Sequence, residues 1–222
     1  MKDYFSRQIM LWGEDAQESL ESKAILIVGS GGLGCSIALA LSGSGIGKID
    51  IIDFDKVEVH NIHRQILFET DDIGKYKAEV ASSKIKNRNP YLKSDFFIDS
   101  FQEFIKNIDL NYSLIIDATD NLEVRLAIDE FAKKNKIAWI YGSVEEFNAQ
   151  VCLFDIASFD MFATKKVEPK GISAPMVMQT ASFQANLALR YLLNLKVASD
   201  VLYYLYYNNS GEFEIKKFSL KG

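Results

Sequence analysis

Apolar residues along this chain come in short unbroken runs that alternate with longer, punctuated ones. Ile25-Leu26-Ile27-Val28 is a β-branched block ending at glycine, and Ile49-Asp50-Ile51-Ile52-Asp53 is another ending in carboxylates. Such runs read as strands buried on both faces. Between them, Leu33 to Ser44 carries Leu33, Ile37 and Leu41 with small residues in the gaps, the spacing of a helix pressed closely on a sheet. Phe54 to Thr70 is irregular and holds both histidines. Ile73-Gly74 then leads into a predicted helix from Lys75 to Arg88, stopped by Asn89-Pro90.

After Pro90 the pattern repeats. KSDFFI reads as a strand, FQEFIKNI as a short helix, SLIIDATDN as a strand ending at acids, Leu122 to Asn135 as a helix and IAWIYGSV as a strand. NAQVCLFD is one more strand, Asp155 to Gly171 an irregular crossing segment, and Ala174 to Leu195 a long, largely buried helix. The end, VLYYLYYNNSGEFEIKKFSL, reads as a β-hairpin turning at Asn208 to Gly211. In its second strand Phe213 and Ile215 alternate with Glu212, Glu214 and Lys216, which predicts one wet face. Its first strand carries Tyr or aliphatic groups on both faces, which predicts cover from the domain or from a partner chain. Strand and helix alternate through most of the chain. The expected fold is therefore α/β: a doubly wound, Rossmann-like, mostly parallel sheet with antiparallel C-terminal strands, in one domain over residues 1–222.

Composition narrows the function. The 222 residues are 48% hydrophobic and 25% charged, the balance of an ordinary globular protein. A net charge of −5 excludes the broad basic face that a nucleic acid or an anionic membrane requires. The N-terminus has no signal-like apolar run, and Gln179, Gln184, Asn186 and Arg190 interrupt the most apolar segment, so no membrane span and a cytoplasmic location are expected. Cys35 and Cys152 are too few for a disulfide framework or a four-thiolate zinc site, and both read as small buried hydrophobes.

Gly29-Ser-Gly31-Gly32-Leu-Gly34 fits G-x-G-x-x-G between a strand and a helix. The glycines permit a tight turn and close backbone approach, and helix-terminal amides meet negative charge. Asp53, at the end of the next strand, stands where a carboxylate can accept from ribose hydroxyls. NAD and ATP fit this much equally well. HNIHRQ then adds Asn61, Arg64 and Gln65. DDIGKYKAE places Lys75 and Lys77 in the first turn of a helix that Asp71 or Asp72 would cap, where the dipole disfavours cations. Asp120 lies at a strand end and reads either as a helix cap or as a ligand holder. Taken together, the cations and the acid suit a triphosphate under attack, with Mg²⁺ held by carboxylate.

SRQIMLWG, GSGGLGCS, IIDFDKVEVHNIHRQILF, DIGKYKAEVA and DATDN stand in the order and spacing of the ubiquitin-activating superfamily. The chain most resembles its bacterial adenylating enzymes of thiamine and molybdopterin synthesis, and HNIHRQILFETDDIG leans toward the thiamine side. GISAPMVMQTASFQANLALRYLL is similar to the family's last long helix. The resemblance implies ATP-dependent adenylation of the C-terminal glycine carboxylate of a ubiquitin-fold sulfur carrier ending in Gly-Gly, with release of pyrophosphate. It implies that Gly29, Gly31 and Gly32 approach the phosphates, that Asp53 and Asp55 serve the nucleotide's ribose side, and that Asn61, Arg64, Gln65 and Lys77 line the triphosphate. Asp120 would hold Mg²⁺ beside Asn121. Arg7 would reach the phosphates of a neighbouring subunit, implying a homodimer. Because a carboxylate is the nucleophile, no general base is needed, and His60 and His63 read as scaffold or solvent-facing residues.

The chain departs from its relatives in three ways. It lacks the paired C-x-x-C zinc ligands, so no zinc is expected. The crossing segment has no cysteine, so the enzyme is expected to make the adenylate and leave attack to a separate sulfur donor. SVEEFNAQV puts Glu145, Glu146 and Asn148 where relatives are less acidic. Other readings are a carrier of molybdopterin synthesis, adenylation of a tRNA base or a peptide carboxylate, a non-catalytic partner subunit, and a nicotinamide oxidoreductase. The last would need a hydride-site acid or base, and no His or Tyr–Lys pairing appears in the second half to supply one.

Overall fold

The computed structural model describes residues 3–106, 111–162 and 171–220. Eight strands form one sheet: β1 (Ala24–Val28), β2 (Lys48–Ile52), β3 (Phe96–Phe97), β4 (Leu114–Asp117), β5 (Trp139–Glu145), β6 (Asn148–Phe154), β7 (Val201–Tyr207) and β8 (Phe213–Ser219). Their order is β3-β2-β1-β4-β5-β6-β7-β8. The first five run parallel, and β6, β7 and β8 are antiparallel, as the alternation predicts. The helices are α1 (Ser6–Trp12), α2 (Glu14–Glu21), α3 (Gly32–Ser42), α4 (Lys77–Arg88), α5 (Phe101–Phe104), α6 (Leu122–Asn135) and α7 (Ala174–Leu192).

Strand side chains alternate between faces, and each face has its own core. Ile25, Ile27, Ile49, Ile51 and Ile116 pack with Ile37, Leu41, Ile85, Val177, Ala181 and Ala188 of α3, α4 and α7. Leu26, Val28, Ile52 and Ile115 pack on the other side with Phe101, Phe104, Ile128 and Ala132 of α5 and α6. Burial on both faces explains the unbroken apolar runs of β1, β2 and β4. The winding direction reverses between β1 and β4, and their C-terminal ends leave a crevice there.

Three expectations need correction. The helix expected from Lys75 begins at Lys77, with Tyr76 as N-cap and no side-chain cap. Asp72 instead closes a 3₁₀ turn over Thr70–Asp72 and binds Lys75 at 3.2 Å and Lys84 at 2.7 Å, so its carboxylate is unavailable as a cap and Lys75 lies outside the helix. Strand β8 is exposed along its whole length rather than on one face. It is the sheet's edge, paired only with β7. Cover from α7 reaches Tyr203 on β7, which Phe183 meets edge-on at 5.0 Å, but goes no further. Helices α1 and α2 precede the first of the expected elements. Residues Asn107 and Ile108 of the expected FQEFIKNI helix, and 163–170 of the crossing segment, lie outside the described residues. No described helix is long and apolar enough to cross a membrane.

Candidate active site

The glycine loop is built by close approach. Gly29 has φ +92°, and a Cβ there would come 2.9 Å from the Ala118 carbonyl oxygen and 3.2 Å from Thr119 Cγ2. A Cβ on Gly34 would come 2.0 Å from the Gly29 carbonyl oxygen, so the first turn of α3 rests on the loop itself. The N-cap of α3 is Gly31, and no side chain caps it. The N–H groups of Gly32, Leu33 and Gly34 therefore have no intrahelical partner and are the kind of donors that anions accept from at helix N-termini.

Sequence-distant residues crowd this turn. The position of a Cβ on Gly32 lies 2.9 Å from Val177 of α7 and 3.6 Å from Arg64 Cγ, and that of a Cβ on Gly31 lies 3.8 Å from Gln65 Nε2. Gln65 is buried, and its Oε1 has no partner, an orphaned polar atom in the wall of the loop. Arg64 donates through Nη1 to the His60 carbonyl at 2.9 Å and lies 2.9 Å from His63 Nε2. His60 and His63 therefore steady the arginine from the exposed side. The rest of the Arg64 fork has no protein partner among the described residues.

Asp53 braces the loop. Its Oδ2 accepts from the Ser30 N–H at 2.7 Å and the Ser30 hydroxyl at 3.1 Å, and its Oδ1 from the Asp55 N–H at 2.8 Å. Burial pushes its carboxyl above the usual range, against the opposing pull of the Ser30 and Asp55 amides. Lys77, the first residue of α4, is buried and binds Asp55 Oδ2 at 2.9 Å. Asn61 is committed to a turn: its Oδ1 accepts from the Glu58 N–H at 3.0 Å, and its Nδ2 lies 3.1 Å from His60 Nε2.

The DATDN turn lies directly against the glycine loop, since the Ala118 N–H donates to the Val28 carbonyl at 2.8 Å. The two readings of Asp120 separate here. Asn121 caps α6, accepting from the N–H groups of Glu123 at 2.8 Å and Val124 at 3.2 Å. Asp120 is exposed, and no protein group among the described residues binds it. Among those residues, no group of three or more His, Cys, Asp or Glu side chains could hold a metal by itself.

Arg7 stands apart. Gln8 binds the Gly43 carbonyl at 2.7 Å, which puts α1 at the far end of α3 from the glycine loop. Eleven residues separate the ends of α3, about 16 Å of helix at 1.5 Å per residue. Arg7 is exposed, and α1 buries none of its own residues, leaving Met10 and Leu11 each 77% exposed. Both cysteines are buried. Burial pushes the Cys35 thiol up to about 12 and raises Cys152 as well, so neither is a thiolate near neutral pH. Sequence reasoning missed Arg125 of α6 and Gln184 of α7. Both bind Asp117, the first acid of DATDN, across distances that no local pattern signals.

A glycine turn at the switch point of a doubly wound sheet, flanked by buried and half-exposed cations, defines a Rossmann-like α/β protein. The chain belongs to the ThiF family, whose model matches residues 5–221. The sulfur carrier protein adenylyltransferase of Thermus thermophilus is 32% identical over 155 residues, 68% of this chain and 57% of that protein. A probable molybdopterin-synthase adenylyltransferase of Porphyra purpurea is 42% identical over 64% of this chain and 37% of that protein. The molybdopterin-synthase adenylyltransferase of Salmonella typhimurium is 31% identical over 85% of this chain and 81% of that protein. The chain thus spans well under two thirds of the Thermus and Porphyra proteins. The crystal structure of E. coli MccB with AMPCPP and MccA shares the fold, with a TM-score of 0.86 at 19% identity over 98% of this chain and 71% of that one.

Proposed function

We propose that the chain is an ATP-dependent adenylyltransferase that activates the C-terminal carboxylate of a ubiquitin-fold sulfur carrier ending in Gly-Gly. The observation that carries this reading is the uncapped, unpartnered Asp120 carboxylate on a turn packed against the uncapped N-terminus of α3. A dinucleotide pyrophosphate needs only the helix terminus, whereas a triphosphate that breaks between its α- and β-phosphates needs charge neutralised on both sides.

The residues fit ATP and Mg²⁺. The glycine loop packs too closely on Ala118, Val177 and its own carbonyl for side chains at Gly29, Gly32 and Gly34, which keeps its backbone bare, and Gln65 has an orphaned amide oxygen beside it. Mg²⁺ is commonly held by one or two carboxylates together with substrate phosphates, so a single free acid matches it better than a protein-only cage would. When bound it would neutralise developing phosphate charge. Asp120 would hold it, and Asp53, whose Oδ1 accepts one hydrogen bond, would receive a ribose hydroxyl. The free face of Arg64 and the Lys77 ammonium would offset charge on the phosphates. The carrier's carboxylate attacks the α-phosphorus, the bond to the β-phosphate oxygen breaks, and pyrophosphate leaves. Positioning and electrostatics supply the rate.

Several features support the finer reading. A cavity of about 860 Å³ lined by Phe147, Ile172, Pro175, Met176 and Tyr207 suits an extended tail, and Met176 precedes Val177, the residue packed nearest Gly32 of the loop. Two buried, protonated cysteines argue for a separate sulfur donor. The position of Arg7 away from its own loop argues for a homodimer with shared sites, each chain working as one adenylation unit in the cytoplasm. The HNIHRQILFETDDIG segment favours the thiamine-side carrier. The test is ATP–pyrophosphate exchange with thiamine-side and molybdopterin-side carriers, each ending in Gly-Gly. Exchange that depends on the thiamine-side carrier supports the reading in full. Binding of NADH with no response to ATP sinks it.

A further inference from the structure

The Asp117 carboxylate ends β4 with no solvent exposure, and the chemistry above makes no use of it. Its Oδ1 accepts from the Thr119 N–H at 2.9 Å and the Thr119 hydroxyl at 2.7 Å, and its Oδ2 from Arg125 Nε at 3.2 Å. Its main-chain carbonyl accepts from Gln184 Nε2 at 3.0 Å, which keys α7 to the same point. Arg125 rises from the first turns of α6, with a side chain 12% exposed. Its Nη2 donates to the Thr119 carbonyl at 2.6 Å and to the Gly142 carbonyl on β5 at 3.4 Å. The guanidinium lies over the Tyr141 ring, 5.1 Å from its centroid.

One fork thus ties the end of β4, the turn beyond it and the neighbouring strand. The Thr119 carbonyl is half of the planar peptide unit that enters Asp120. Holding that oxygen fixes the plane from which the Asp120 side chain departs. Asp120 has no side-chain partner of its own, so the backbone sets the Cα–Cβ direction from which its rotamers reach into the crevice. Asn121 pins the exit of the same turn by capping α6.

We infer that Arg125 is a positioning residue for Asp120, acting through the Thr119–Asp120 peptide. The inference rests on the reading of Asp120 as the metal-side carboxylate. If Arg125 served only as countercharge to Asp117, lysine would serve as well; a fixed planar fork that reaches two carbonyls and a carboxylate is beyond an ammonium.

The test uses the full chain with Mn²⁺ and a non-hydrolysable ATP analogue, reading bound Mn²⁺ by electron paramagnetic resonance. Arg125→Lys is expected to weaken Mn²⁺ binding in the presence of the analogue about tenfold, as loss of an outer-shell partner does. Metal-free analogue affinity stays within about twofold. In an Asp120→Ala background the same Arg125→Lys change is expected to alter Mn²⁺ binding by less than about twofold, because coupled residues are non-additive. Thr119→Val removes only the hydroxyl bond to Asp117 and gives the same coupling on a smaller scale, which covers the case of an unstable Arg125→Lys protein. Unchanged Mn²⁺ affinity in Arg125→Lys, or an equal loss with and without Asp120, overturns the inference. A wild-type chain that binds no nucleotide refutes the proposed function instead, so the two failures are distinct.

Discussion

Replacing Lys77 by Met removes a charge while keeping most of the side chain's length. The ammonium is 8% exposed, and its partner, the Asp55 carboxylate at 2.9 Å, is 55% exposed. The gross attraction at that distance is about 6 kcal/mol at an effective dielectric near ~20. Against it stands the several-kcal/mol cost of holding an ammonium out of water, which the Met variant no longer bears. The Asp55 carboxylate is left half in solvent, where water solvates it. The backbone bond from the Lys77 N–H to the Asp55 carbonyl, 2.9 Å, is retained by Met. The opposing terms leave roughly 1 kcal/mol of either sign, a melting shift of about 2–4 °C for a chain of this size. The chemistry has no such cancellation. A cation aimed at charge developing in the transition state is worth about 10²–10³ in kcat. Calorimetry and ATP–pyrophosphate exchange on the same samples should show near-native melting with exchange down at least about a hundredfold. A Met variant that melts more than about 10 °C low, yet exchanges normally per folded molecule, would make Lys77 a brace for α4 and not a group that serves the phosphates.

Asn121→Ala should lower stability in urea by about 1 kcal/mol, the worth of a lost N-cap, and Asn121→Asp should restore it; equal stability of all three proteins would mean that the cap does not support α6. Arg7→Ala and Lys77→Met proteins should each be inactive alone but regain about a quarter of wild-type exchange when mixed and allowed to exchange subunits, because half the dimers then hold one intact shared site. No recovery on mixing would place Arg7 outside the site. For Asp72, burial pushes the carboxyl up, but Lys84, the Glu69 N–H and Lys75 outweigh it and hold it below the usual range. Its stabilisation is therefore complete above the unfolded value near ~4 and is lost as the pH falls through the folded value. Urea midpoints should drop more steeply from about pH 5 to about pH 2.5 for the wild type than for Asp72→Asn, and parallel curves would contradict the assignment.

What the sequence disclosed follows from how each segment is buried. Strands β1, β2 and β4 were legible because burial on both faces leaves no polar interruption to confuse the period. Helix α1 was not, since it exposes Met10 and Leu11 and buries nothing of its own, so no apolar stripe exists to detect. The start of α4 was misplaced because Asp72, a good cap by type, is taken by two lysines. Strand β8 alternates in sequence yet lies open on both faces, because alternation reports a capacity to bury a face and not the presence of a neighbour. In the site, Gly31 and Gly32 lie beside Gln65 and Arg64. Asn61 and Asn121, expected at the nucleotide, are occupied by turns, and side-chain type alone gave no sign of this. Arg125 was invisible because its partners lie at the end of β4, on the turn beyond it and on β5, which no local pattern brings together.

The acids at the strand ends divide by what they hold. Asp53 fixes Ser30 and Asp55, Asp55 holds Lys77, and Asp117 holds Thr119 and Arg125. Each of these carboxylates is engaged before any ligand arrives, and together they fix the loop, one cation and the neighbouring turn in place. Asp120 alone among them holds nothing, although it stands on the turn that the others immobilise. A free anion beside an anion-accepting loop would repel a phosphate unless a cation came between them. On the proposed reading, a metal ion that arrives with the substrate comes between the two, as a triphosphate would bring it and a dinucleotide would not.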